Sequence, residues 1–82
     1  LKDRQRIAYC QINLGNAYSA LGQPDLAIEL HQRALALREA MGNRHEVAIS
    51  YHDLSTVYLW TGRLKEAAEA LTKARADFQT SG

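Results

Sequence analysis

Apolar residues early in the chain fall at Ile7, Ala8, Leu14, Ala17, Tyr18 and Leu21. Steps of three, four and seven mark one face of an α-helix, so the pattern predicts a helix over 3–21. Gly22 ends it, because glycine takes the left-handed conformation that other residues resist. Pro24 then sits where a first-turn proline is tolerated, and Asp25 where a carboxylate favours a helix N-terminus. A second helix carries Leu26, Ala27, Leu30, Ala34, Leu35 and Leu37 and runs to Gly42. Asn43 can cap the next helix, with Glu46 three residues on as in a capping box. Gly62 makes another turn, and Leu64 to about Gln79 reads as a fourth helix. β-branched residues are few and no alternating run is bounded by turn signals, so no strand is expected. The fold class is all-α, four helices joined by short turns into antiparallel hairpins.

The chain also repeats itself. Offset by 40 residues, Arg4 falls on Arg44, Ala8 on Ala48, Leu14 on Leu54, Tyr18 on Tyr58 and Gly22 on Gly62. Ala27, Glu29, Ala34, Ala36 and Gly42 likewise meet Ala67, Glu69, Ala74, Ala76 and Gly82, ten identities over the 40 pairs. Two units are therefore expected, 3–42 and 43–82. A hairpin of this size cannot cover its own apolar face, so neighbours stack and the core runs along the array.

Composition narrows the function more than the fold. The 82 residues carry 10 Lys plus Arg against 9 Asp plus Glu, a net charge of +1 that gives no electrostatic reason to expect nucleic acid or an anionic membrane as partner. Lys2, Arg4 and Arg6 form a small basic cluster, but Asp3 interrupts it and no aromatic platform accompanies it. No apolar run approaches the ~18 residues of a membrane span. The single cysteine, Cys10, makes no internal disulfide, and no Cys/His spacing suits zinc. His45 and His52 lie two helical turns apart, ~10.5 Å, too far for one metal ion. The chain starts at Leu1 and ends Thr80-Ser81-Gly82, as expected of a piece of a longer protein, soluble and cytoplasmic.

Asn13-Leu14-Gly15-Asn16-Ala17-Tyr18, then Gly22, Asp25, Ala27-Ile28-Glu29, Gln32 and Ala34-Leu35, resemble the tetratricopeptide repeat over the whole unit. Leu54, Tyr58, Gly62, Ala67, Glu69 and Ala74 repeat the pattern more loosely. The spacing exceeds the family's usual period by six residues, a form that looks like repeats of bacterial signalling proteins and transcriptional regulators. The resemblance implies that helices 3–21 and 43–61 line a concave surface and the other two the convex side. Gly15 and Ala27 would let two helices approach closely beside Tyr18, as would Ser55 and Ala67 beside Tyr58. His31 stands where the family has a large aromatic, and is expected to be packed.

On that reading the groove presents Tyr9, Ile12, Asn13, Asn16, Ser19 and Ala20 from the first unit, and Ile49, His52, Asp53, Thr56, Leu59 and Trp60 from the second. Asn13 and Asn16 lead this set, because an amide both donates and accepts and can grip an extended peptide backbone whatever its sequence. The bland alternative is that they are solvated or bonded to a neighbouring helix. Asp53 replaces the asparagine in unit two and favours a basic or amide-rich partner. Of the lysine, asparagine and arginine clamp that some relatives use for a terminal carboxylate, only Asn16 matches; Ile12 and Asp53 depart from it. Leu59 and Trp60 are large and apolar, and either cover a neighbouring repeat or subunit, the preferred reading, or meet a ligand directly. Cys10 is expected to be a small packing residue. No nucleophile stands beside a base, no carboxylates pair in a cleft and no glycine loop cradles phosphate, so no enzyme, cofactor, metal or small-molecule substrate is expected. The expected role is binding a protein or peptide. Its rival is assembly, with Leu59, Trp60 and Phe78 pairing repeat ends in a homo-oligomer.

Overall fold

The computed structural model describes the backbone of residues 2–81 and the side chains of residues 3–76. Four helices follow one another: α1 (Lys2–Ala20), α2 (Pro24–Met41), α3 (Arg44–Trp60) and α4 (Leu64–Ser81). Among the described residues there is no strand. α1 packs on α2 and α3 on α4, and α2 also packs on α3, which joins the two hairpins. The array measures 31 × 27 × 14 Å, two helices deep.

Each corner is built alike. Gly22 adopts φ 79° and Gly62 φ 77°, values where a Cβ would be strained. The residue after each closes the helix: the Gln23 amide donates to the Tyr18 carbonyl at 2.8 Å, and the Arg63 amide to the Tyr58 carbonyl at 2.8 Å. These are the long bonds of a Schellman turn. Pro24 occupies the first turn of α2. At α3, Asn43 Oδ1 accepts from the Glu46 amide at 3.2 Å. The box is only half made, because Glu46 turns its carboxylate to Arg38 instead.

Three of the repeated pairs, all alanines, mark the core. Ala8 and Ala48, Ala27 and Ala67, and Ala34 and Ala74 are all buried. One cluster gathers Ile28 and Leu35 of α2 with Val47, Leu54, Val57 and Tyr58 of α3 and Ala67 and Ala70 of α4. A smaller one holds Ala8, Ile12 and Ala34, with Leu37 against it. Gly15 lets α1 and α2 meet: a Cβ there would lie 3.0 Å from the His31 ring and 3.3 Å from the Ala27 carbonyl. His31 is fully buried, the packed residue its position implies.

Two expectations for α1 need correction. The apolar face read from Ile7, Leu14 and Leu21 is not core: Leu14 is 51% exposed while its counterpart Leu54 is 3% exposed. Cys10 is exposed, not packed, whereas its counterpart Ser50 is fully buried. The reason is positional. α2 covers that side of α3, and among the described residues nothing covers that side of α1.

Candidate functional site

At 100° per residue, His52, Asp53 and Thr56 lie on one side of α3, and Val47, Tyr51, Leu54 and Tyr58 on the other. The first side was expected to share a groove with α1. Asn13 and Asn16 of α1 are exposed there, as are His52 and Thr56 of α3. Ser19 and Asp53 are half-buried. The Thr56 hydroxyl donates to the His52 carbonyl at 3.2 Å within its own helix. Ile12 requires correction as a contact residue: it is buried with Ala8, Ala34 and Leu37, because it faces α2 rather than open space. Leu59 and Trp60 are both exposed, Trp60 at 74%. Phe78 lies outside the residues whose side chains are described.

Tyr9 has a partner that the sequence did not suggest. The Arg38 guanidinium sits 5.5 Å from the centre of its ring. Arg38 is itself buried, reaching from α2 between α1 and α3. Its Nη1 donates to Ser50 Oγ at 2.6 Å and to the Glu46 carbonyl at 3.1 Å. Its Nη2 stands 2.9 Å from Glu46 Oε2. One side chain of α2 thus joins α3 through charge-assisted bonds and α1 through a cation–π contact.

Beside this node lies a second cluster. His31 keeps both ring nitrogens buried without a hydrogen-bond partner. Burial lowers its pKa, Asp53 pulls it back up, and Arg38 adds a smaller downward push. Burial raises the Asp53 carboxyl, with His31, His52 and Arg38 opposing. His31 and Asp53 thus oppose each other's burial shift through charge, without a hydrogen bond to either His31 ring nitrogen. Among the described residues, no three His, Cys, Asp or Glu side chains are placed to hold a metal ion.

The opposite side of α3 carries clefts that sequence reasoning missed. One, of about 440 Å³, lies among Glu39, Arg44, Val47, Tyr51, Lys73 and Ala76. A second, of about 260 Å³, runs on past Gln32, Leu35, Leu54, Tyr58, Glu66 and Ala70. Tyr51 stands in both, with its ring 5.4 Å from the Lys73 ammonium and its hydroxyl donating to Glu39 Oε2 at 3.4 Å. The signal was available in the 3.6 period, which sets Tyr51 with the core face of α3, but the trough needs residues of both α2 and α4 as its walls.

Comparison with known proteins agrees with this architecture. The family model described as tetratricopeptide repeat matches residues 3–80. The chain belongs to the tetratricopeptide repeat family. No match is found among curated proteins or among solved structures. Tetratricopeptide repeats generally mediate protein–protein interaction and are typically non-catalytic. Among the described residues, no helix of this repeat pair is long and apolar enough to cross a membrane.

Proposed function

We propose that this tetratricopeptide repeat pair, with units 3–42 and 43–82, is a non-catalytic module of a larger regulatory or scaffolding protein. It binds a peptide or protein segment across α1 and α3, through Tyr9, Asn13, Asn16, Ser19, His52, Asp53 and Thr56. The forty-residue spacing supports a kinship with bacterial regulators. One observation carries the reading: Asn13 and Asn16 are exposed on α1 and, among the described residues, neither amide is spent on an internal hydrogen bond. Both groups are therefore available to a partner backbone, held on a rigid helix so that little ordering entropy is lost on binding.

Assembly remains the second reading, favoured by the exposure of Leu59 and Trp60 at the end of α3. Peptides selected on the protein by phage display separate the two. Groove binding predicts that Asn13→Ala with Asn16→Ala weakens a selected peptide and leaves the sedimentation behaviour unchanged. Assembly predicts that Trp60→Glu abolishes concentration-dependent sedimentation and leaves peptide affinity unchanged. Peptides indifferent to both asparagines defeat the groove reading.

A further inference from the structure

Among the residues of the proposed groove, Asp53 alone carries a full charge when histidine is neutral. It is half-buried, and among the described residues its carboxylate makes neither a hydrogen bond nor an ion pair. The groups around it do not close a bond to it. Arg38 is bonded to Ser50 and Glu46, and both ring nitrogens of His31 are without a hydrogen-bond partner. Burial therefore dominates and holds the Asp53 pKa up, while His31, His52 and Arg38 oppose it only through their field. A carboxylate drawn out of water without a bonded cation destabilises the folded chain.

The fold does not ask for that charge. Forty residues earlier, at the same register of α1, stands Asn13, whose amide serves the helix without one. Nor does continuation of the array hide this register, because Asn13 is exposed although the whole hairpin of α3 and α4 follows it. We propose that Asp53 selects the bound segment by charge, taking a lysine or arginine side chain of the partner peptide. The inference rests on reading α1 and α3 as a peptide-binding face, and it names the chemistry that face prefers. A cation arriving at Asp53 supplies the bond that the folded chain lacks, and bonds between charged groups are the strong ones. The exposed amides of Asn13 and Asn16 hold a backbone whatever its sequence, so discrimination falls to Asp53. A peptide that brings an aspartate or glutamate there sets two carboxylates together and is rejected.

The probe is a labelled peptide from the phage selection that carries a lysine or arginine, with affinity read by fluorescence anisotropy. Asp53→Asn is expected to weaken it about tenfold, the size of one hydrogen bond to a charged group. The same variant should keep or raise the urea midpoint at pH 7, because it removes an unpaired half-buried charge. Replacing the basic residue of the peptide with glutamine costs as much against the native chain and nothing further against Asp53→Asn. Asp53→Lys reverses the preference, so that the peptide with glutamate at that position binds more tightly than its parent. Selected peptides no richer in lysine and arginine than the starting library overturn the proposal. Equal affinity for the native chain and Asp53→Asn overturns it too, and leaves the groove standing where Asn13→Ala with Asn16→Ala still weakens the peptide. Weaker binding together with a lower urea midpoint in Asp53→Asn also overturns it, since the carboxylate then serves the fold. Peptides indifferent to both asparagines defeat the groove and this inference with it.

Discussion

Truncating Arg38 to Ala removes contacts from three helices at once. The variant loses bonds of 2.6 Å to Ser50 Oγ and 3.1 Å to the Glu46 carbonyl, the 2.9 Å pair with Glu46 Oε2, and the stacking on Tyr9. Breaking a fully buried pair costs about 3–5 kcal/mol. Glu46 keeps a side-chain exposure of 21%, so water reaches its carboxylate and the expected loss falls to about 2–3 kcal/mol. The Ser50 hydroxyl gains no such relief, being fully buried. A domain of this length has about 4–12 kcal/mol in total, so the loss is a large part of its stability. Urea unfolding followed by circular dichroism measures it. Arg38→Met with Ser50→Ala, which keeps the bulk and removes the donor together with its buried hydroxyl acceptor but leaves Glu46 without its cation, should recover only part of the loss. A cost below about 0.5 kcal/mol for Arg38→Ala, the size of an exposed ion pair, would refute the account of Arg38 as a buried node.

Gly15→Ala sets about 1 kcal/mol of gained helix propensity against about 1–3 kcal/mol of overpacking. The added Cβ lies 3.0 Å from a His31 ring that is fully buried and has nowhere to go, so thermal melting should show a lower Tm. Leu54→Ala should cost about 2–4 kcal/mol by leaving a cavity, and Leu14→Ala at the matching position less than about 1 kcal/mol; equal losses in urea titrations would contradict the burial pattern. His31 has a lowered pKa in the folded chain, so the unfolded chain takes up that proton first. Stability present above the ordinary imidazole value of ~6.5 should therefore be lost as pH falls through it towards the folded value. Urea midpoints across that range should drop for the native chain and stay flatter for His31→Gln. Asp53, raised by burial, acts oppositely: acidification through its folded value returns stability, and Asp53→Asn should remove that part of the profile.

Much of the architecture was legible because it is local. Gly22 and Gly62 end helices through a backbone conformation each residue carries by itself, Pro24 fits one turn of a helix, and Asn43 caps the amide three residues away. The forty-residue echo of Ala8, Ala27 and Ala34 marked the core, since small side chains are what closely packed helices require. Such signals read the same wherever the segment stands.

Burial does not. Leu14 and Leu54 are the same residue in the same helical register, yet one is open and the other sealed, because among the described residues only α3 has a helix laid across that side. The sequence likewise could not say that Ile12 turns into the core, that Arg38 is buried on Ser50, Glu46 and Tyr9, or that a trough opens over Tyr51. Periodicity ranks the positions around a helix, but which of its faces is covered depends on neighbours distant in the chain. For this protein the letters determined the hairpins and their order. Tertiary packing alone decided which apolar stripe is covered among the described residues.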